Sequence, residues 1–388
     1  MIYFDHNATT AVLPEVREAM LPMLGGNFGN PSSIHAPGRL ARNALDDARG
    51  AVAELAGVHP RQVVFTSGGT ESNALALRGV ALQALATGAA RRRLLVGSTE
   101  HAAVRDEAFA LRRLGFTVEE VPVAADGHID LPAYRSLLDD EVLLVSLMAA
   151  NNETGVLTDI APLAELAHAA GAVFHCDAVQ LPGKQPFSMA ELGADLASIS
   201  GHKIGAPKGV GALLLAGAVE LFAGQHGGGQ EAGLRSGTEN LPGIVGFGVA
   251  ATHAVASQAE FSTHTRQLRD QLERGLAAIP GITLFAAASE RLPNTCQFGV
   301  AGYAGDTVQM GLDRAGFAVS TGSACHSGDS APSHVLTAMG VPPDAARSAI
   351  RVTFGLDNTH EQVNEFLGAL ENLRGALPSQ SAGGAVGW

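Results

Sequence analysis

A lone cysteine among small and hydroxylated residues is the first chemical signal in this chain: residues 320–328 read Ser-Thr-Gly-Ser-Ala-Cys-His-Ser-Gly. A structural cysteine behaves as a small hydrophobe and is usually set among Leu, Val and Ile. Cys325 instead sits in a segment suited to solvent exposure, which points to a working thiol. The second signal is scarcity, since the chain has only three lysines, Lys184, Lys203 and Lys208. Arginine stays protonated and cannot form a Schiff base, whereas a lysine desolvated at a strand end can lose its proton and do so. Lys203 closes the run Ser-Ile-Ser-Gly-His-Lys at 198–203, at a strand exit. Lys184 follows Pro182 and Gly183 in a turn and Lys208 lies in Ala-Pro-Lys-Gly, so both read as exposed loop residues.

Three further polar runs sit where strands are expected to end. Thr66-Ser67-Gly68-Gly69-Thr70-Glu71 is a Gly-rich turn opening a helix, where free N–H groups, the helix dipole and hydroxyls can hold a phosphate. Ser98-Thr99-Glu100-His101 brings an imidazole to the mouth of the sheet. In His175-Cys176-Asp177-Ala178-Val179-Gln180, strand alternation puts His175 and Asp177 on one face and Cys176 on the other. Neighbouring ligands on one strand do not make a metal site without further donors, so no metal is expected. The four exits together offer a phosphate cradle, a ring to lie over a flat cofactor, a carboxylate for a pyridinium nitrogen and an amine. Pyridoxal phosphate needs that set. A dinucleotide is the weaker rival, because Gly227-Gly228-Gly229-Gln230-Glu231-Ala232 fits Gly-x-Gly-x-x-Ala but no strand leads into it and no ribose-binding acid follows at the right distance.

These exits must be positioned by an alternating fold. The pattern predicts strand 62–66, helix 71–85, strand 94–97, helix 104–114, and strands 117–123 and 142–148. Helix 160–170 and strands 172–177, 196–200 and 211–215 follow. Such alternation implies a mostly parallel sheet covered on both faces, with chemistry at the strand exits. A helix over 260–279 and strands 282–285, 295–300, 317–320 and 349–354 then form a smaller α+β domain. The expected division is a large cofactor-binding α/β domain over 16–258, a small domain from 1–15 plus 259–377 that carries Cys325, and a disordered Ser/Gly/Ala-rich tail over 378–388.

Composition bounds the setting. The chain has 388 residues, 46% of them hydrophobic, and a formal charge of −13, which opposes nucleic acid and anionic lipid as partners. No run approaches the roughly 20 apolar residues that a membrane helix needs. Cys176, Cys296 and Cys325 have no repeated spacing and the start lacks a signal-peptide pattern, so a reducing cytoplasm is the expected compartment. The short basic run Arg91 to Arg93 reads as a solvated helix end before a strand rather than a binding patch.

Taken in order, several motifs resemble the cysteine desulfurases of the class V aminotransferase group, of the type serving iron–sulfur cluster assembly. They are Asp5-His6-Asn7-Ala8-Thr9-Thr10, Asn30-Pro31-Ser32-Ser33, Asn151-Asn152-Glu153-Thr154-Gly155, Ser200-Gly201-His202-Lys203, Arg235-Ser236-Gly237-Thr238 and Ser323-Ala324-Cys325. The resemblance implies a pyridoxal-phosphate-dependent transferase of the aspartate aminotransferase-like fold type I, with a large, mostly parallel mixed-sheet domain and a smaller α+β domain. It implies that Lys203 carries the cofactor, that Asp177 partners the ring nitrogen, that Gln180 donates to the ring oxygen and that His101 stacks on the ring. Gly69, Thr70, Ser200 and His202 match phosphate-site residues, and Thr238 matches a residue that reaches the phosphate of the neighbouring subunit. Asn152 and Arg351 match the substrate-carboxylate positions, and alternation supports Arg351, since Ala349, Arg351 and Thr353 share one face and Ile350, Val352 and Phe354 the apolar other. Cys325 matches the sulfur acceptor. This chain departs from the common pattern at His6 (commonly Asn), Gly69 (commonly Ala) and Cys176 (commonly a small aliphatic residue or Thr).

The implied chemistry takes L-cysteine to L-alanine: Lys203 moves the Cα proton and Cys325 attacks the substrate sulfur, ending as a persulfide. His101, His326 or the substrate itself assists deprotonation of the thiol. A segment that collects sulfur beside the cofactor and delivers it to an iron–sulfur scaffold or other acceptor protein has to travel, so weak order is expected over about 321–331. A homodimer with shared sites is expected. Two rivals stay open: a selenocysteine lyase or class V aminotransferase using the same pocket, and a non-catalytic scaffold that kept only the fold.

Overall fold

The computed structural model describes residues 1–216, 219–321 and 332–376; Cys325, His326, most of the segment expected to be mobile and the expected tail lie outside them. The strands in chain order are β1 (Ile2–Tyr3), β2 (Val63–Thr66), β3 (Arg93–Gly97), β4 (Thr117–Val121), β5 (Val142–Ser146), β6 (Val173–Asp177), β7 (Leu196–Ser200) and β8 (Gly211–Leu215). They continue with β9 (Ile282–Leu284), β10 (Thr295–Val300), β11 (Phe317–Ala318), β12 (Ser320–Thr321) and β13 (Ala349–Thr353).

Seven of them form the main sheet in the order β2-β8-β7-β6-β5-β3-β4. All run parallel except β8, which is antiparallel to both β2 and β7. Side-chain alternation divides this sheet between two cores: Leu95 and Phe65 enter one, with helix Ala36–Ala56 and the start of helix Leu241–Ala277. Leu94, Val96 and Val64 enter the other, with helices Gly69–Ala86 and Ala102–Leu111. With both faces covered, β5 and β7 are buried at every position, as a parallel sheet requires. The fold class expected from the alternation is what the chain adopts.

The smaller sheet is antiparallel, β12-β13-β10-β9, and beside it β1 pairs parallel with β11. Phe4, Phe298, Phe354 and Phe366 meet in its core with Ile350 and Val352, so the alternation read along β13 leaves Arg351 on the opposite face. Helix Leu241–Ala277 runs 37 residues, capped by the Asn240 side chain, and begins 19 positions before the expected start at 260. The reason is glycine: Gly248 lies so close to helix Ala36–Ala56 that a Cβ would come within 2.7 Å of the Ala48 Cα. The small residues that weaken the helical pattern are the ones that let two helices touch.

Two other expectations change. The strand expected over 317–320 is two short strands on different sheets, β11 against β1 and β12 against β13. Arg91 to Arg93 is not a solvated helix end. Arg91 donates to the carbonyls of Val142 and Ala170, Arg92 lies over the Phe116 ring, and Arg93 begins β3 and pairs with Asp139 and Glu119. Among the described residues no helix is long and apolar enough to cross a membrane.

Candidate active site

Parallel strands deliver their carboxyl ends to one edge of the sheet. The turns after β2, β3, β5, β6 and β7 line one cavity of about 310 Å³ with Gly69, Thr70, His101, Asn152, Asp177, Gln180, His202 and Lys203. Arg351 from β13 closes it from the smaller sheet. Nine of the residues singled out from sequence therefore share one space, although up to 282 positions separate them in the chain (Gly69 to Arg351).

At one end the N-terminus of helix Gly69–Ala86 opens with Gly68 at φ 153°, a left-region conformation that only glycine adopts easily. A Cβ on Gly69 would meet Val179 Cγ2 at 2.7 Å, so the turn sits against Val179, and within it the Ser67 N–H donates to Glu71 Oε2 (2.7 Å) and the Gly68 N–H to Thr66 Oγ1 (3.3 Å). The common alanine there would require Val179 to move. Ser200 does not line the cavity, but its Oγ is buried without a hydrogen-bond partner among the described residues, 3.9 Å from where a Gly68 Cβ would stand. The ring of His202 contacts Thr9 Oγ1 at 3.1 Å, and burial followed by the nearby Lys203 lowers its pKa to about 4, so it is neutral.

Asp177, at the end of β6, accepts from Asn73 Nδ2 (2.8 Å) and from the Val179 N–H (3.0 Å). Glu100 lies beside it, fully buried, and burial reinforced by the Asp177 charge pushes its carboxyl well up. His175, on the same strand face, is held between the hydroxyls of Ser146 (2.8 Å) and Ser198 (3.0 Å), and burial drops its pKa to about 3. It is a neutral strut beneath Asp177. His101 caps helix Ala102–Leu111 by accepting the Ala103 N–H at Nδ1, which fixes the ring's orientation at the cavity wall.

Lys203 Nζ reaches the carbonyls of Asn7 (2.6 Å) and Ala8 (2.8 Å) from the turn after β7. Lys208 is exposed, as expected, but Lys184 is not: it is 3% exposed. The Pro182-Gly183 turn folds inward over helix Leu241–Ala277, where Gly183 packs on Ala254, and so carries the lysine stem under the cavity rather than to the surface.

Arg351 is 5% exposed, with Nη1 donating to the Asn152 carbonyl (2.8 Å) and Nη2 to Asp5 Oδ1 (2.7 Å). A guanidinium carries five N–H donors, so these two contacts orient the fork and still leave donors for a carboxylate. Glu153, just behind, is buried, and burial raises its carboxyl to about 7 against the opposing effect of Ser333, which donates to it at 2.5 Å. Ser333 caps helix His334–Ala338.

Thr238 is exposed and does not line this cavity. Asn7, Asn73, Lys184, Glu100 and Glu153 are structural partners of the site that sequence reasoning gave no role. Their signal was weak, because Asn7, Glu100 and Glu153 lie inside the quoted motifs but contact their partners only through folding. His6 packs its ring beneath Gly355, where a Cβ would fall 2.3 Å from it, so this departure is absorbed by a glycine. Cys176 is fully buried in the main core.

The donor set suits pyridoxal phosphate: a helix N-terminus and an unpartnered Ser200 hydroxyl for a phosphate, an acid for a ring nitrogen, an amide for a ring oxygen and an amine for the aldehyde. A lysine at a strand end with an arginine fork opposite, in one cavity of a mostly parallel α/β fold, is an arrangement that suits a cofactor enzyme of amino acids. The class-V aminotransferase family profile matches residues 2–366. The chain is 45% identical over 387 residues to a cysteine desulfurase of Cereibacter sphaeroides, covering 99% of this chain and 98% of that one. A solved NifS-like protein superposes with a TM-score of 0.91 at 38% identity, covering 97% of this chain and 100% of that one. A structure described as SspA in complex with cysteine superposes with a TM-score of 0.80 at 32% identity, covering 92% and 99%. The chain belongs to the class-V aminotransferases, among the cysteine desulfurases, a family that is generally dependent on pyridoxal phosphate.

Proposed function

We propose that this protein is a pyridoxal-phosphate-dependent cysteine desulfurase that takes sulfur from L-cysteine, leaves L-alanine and delivers the sulfur to iron–sulfur cluster assembly or another acceptor protein. The observation that carries the reading is the convergence of Lys203, Asp177, His101 and Arg351 on one cavity. Gly69, Thr70, Ser200 and His202 hold the cofactor phosphate, with Thr238 serving the neighbouring subunit; Asp177 faces the ring nitrogen, Gln180 the ring oxygen and His101 the ring face. When bound, the cofactor draws electrons from the substrate Cα and lets them return at Cβ.

The rest is done by the chain. Arg351 and Asn152 hold the substrate carboxylate, which fixes the Cα–H bond relative to Lys203. Lys203 Nζ takes the Cα proton, and the Asn7 and Ala8 carbonyls steady the amine while it carries no covalent bond. The Cys325 thiolate attacks the substrate sulfur, so a C–S bond breaks, an S–S bond forms, Cβ gains a proton and the products are alanine and the Cys325 persulfide. Thr321, four residues before Cys325, lines the cavity. Residues 16–258 make the cofactor-binding domain, and 1–15 with 259–377 the smaller one that bears Cys325. Two buried free thiols, Cys176 and Cys296, suit a reducing cytoplasm.

The test is an assay of purified, cofactor-loaded protein with L-cysteine. Alanine and persulfide sulfur in equal amounts without any keto acid are expected. Alanine appearing only when a keto acid is supplied would make it an aminotransferase, activity confined to selenocysteine a lyase, and no turnover a scaffold.

We also propose a homodimer. Leu21, Leu24, Phe28, Ile34 and Leu40, all within 20 residues, are each more than half exposed, with Ile34 at 90%. That much exposed aliphatic and aromatic surface in one segment marks an interface, and a second copy supplies the Thr238 that this chain does not bring to its own cavity. Sedimentation should give twice the chain mass, and Phe28→Asp with Ile34→Asp should yield monomer that binds cofactor at least about tenfold more weakly, the loss of one hydrogen bond to a charged group. An active, cofactor-loaded wild-type monomer would overturn the assignment.

A further inference from the structure

Behind Asn7 and Gln180, which line the cavity, lies a buried amine to which the desulfurase chemistry gives no task. Lys184 Nζ donates to Asn7 Oδ1 at 2.8 Å and to Gln180 Oε1. Among the described residues no carboxylate lies within ion-pair distance of it. An amine out of water without a counter-charge is costly, and burial, with Lys203 and Arg351 adding to it, drives the Lys184 pKa well down. An apolar side chain of the same length would avoid that cost but would take from Gln180 Oε1 the donor it has among the described residues. The amine is there for its hydrogens.

Those hydrogens constrain an amide. Gln180 has one acceptor, Oε1, and a two-hydrogen donor, Nε2, which are nearly the same size and shape. With Oε1 turned to Lys184, Nε2 donates one hydrogen to the Asn7 carbonyl at 3.0 Å, and Gln180 lines the cofactor cavity. No other partner for Nε2 is present among the described residues. A Gln180 flipped by half a turn would present its oxygen to the cavity and repel an anionic ring oxygen. Asn7 is fixed by the same amine, with its Oδ1 also accepting from Asn294 at 3.1 Å.

We propose that Lys184 is a positioning residue that holds the Gln180 amide with its N–H toward the cofactor's ring oxygen. The assignment rests on the reading of Gln180 as the residue facing that oxygen. Both protonation states of Lys184 serve, since ammonium and neutral amine each have the two N–H groups that Gln180 and Asn7 require.

The experiment reads the pH midpoint of the bound cofactor's visible absorbance in holoenzyme, for Lys184→Met, Gln180→Ala and the double variant. A donor facing the ring oxygen stabilises its anion, so Gln180→Ala should raise the midpoint by about half a unit to one unit, the equivalent of one hydrogen bond. Lys184→Met should raise it in the same direction, and should add nothing in the Gln180→Ala background. Lys184 lines a second cavity of about 300 Å³, so methionine has room, and circular dichroism and the thermal midpoint check the fold. Lys184→Gln, which keeps an N–H on a shorter stem, should shift the midpoint less than Lys184→Met and repeats the cycle if the methionine variant does not fold. A Lys184→Met shift that survives undiminished in the Gln180→Ala background means that the amine acts by its charge, and overturns the proposal. So does a midpoint unmoved by Lys184→Met but moved by Gln180→Ala. If Gln180→Ala itself moves nothing, the reading of Gln180 as a cofactor contact fails first and the proposal goes with it.

Discussion

Lys203→Ala should bind cofactor without any borohydride-reducible link to protein, and its turnover of L-cysteine should fall by at least about a hundred-fold to ten-thousand-fold, the usual contribution of a positioned proton-transfer group. Two roles end together in this variant, the covalent hold on the cofactor and the base for the substrate Cα. Neither remaining lysine can take over. Lys184 Nζ is committed to Asn7 and Gln180 beneath the cavity, and Lys208 is exposed and does not line it. Reduction with borohydride followed by peptide mapping checks this directly. A label on Lys184 or Lys208 in the wild-type protein would sink the assignment.

Cys325→Ser should abolish sulfur release while sparing everything that precedes it. The other two thiols cannot substitute: Cys176 and Cys296 are both 0% exposed, and burial pushes both thiols well above their ordinary pKa, so neither offers a thiolate. A serine hydroxyl is a poor nucleophile toward sulfur and is essentially never ionised at neutral pH. Alanine and persulfide formation should therefore drop on the order of 10³-fold or more, as when other enzymes lose a nucleophile. The visible spectrum should still change when L-cysteine is added, because cofactor and substrate binding belong to Lys203, Asp177, His101 and Arg351. Full sulfur release by the variant would move the acceptor thiol elsewhere.

How much of this was legible beforehand depended on the range of the interactions. Strands β7, β8 and β10 run over the residues expected, because short apolar runs between turn residues carry their own signal. The site residues lay at strand exits, and a parallel sheet gathers its exits along one edge, so local reading was enough to bring most of them together. What escaped depends on contacts between distant segments. The early start of helix Leu241–Ala277 is written in its packing against Ala48, and glycine in isolation reads as a helix breaker. Lys184 looked exposed because Pro-Gly marks a turn, and a turn's local sequence does not say whether it faces water or helix Leu241–Ala277. Asp5 and Glu153 stand in motifs whose order identified the family, yet their bonds to Arg351 and Ser333 cross 346 and 180 positions.

Asn7 ties together several distant parts of the chain. Its backbone N–H donates to Thr353 across 346 positions, its side chain meets Thr295 across 288, and it receives Lys184 and Lys203 across 177 and 196. A pocket stitched through one of the first residues made and some of the last has a high contact order at its centre, so it forms late in folding. During synthesis the amine of Lys203 emerges long before the strand that bears Arg351 and Thr353. A chain that stops short of β13 lacks both Arg351 and Thr353, so the cavity gains its last wall only once that strand is in place.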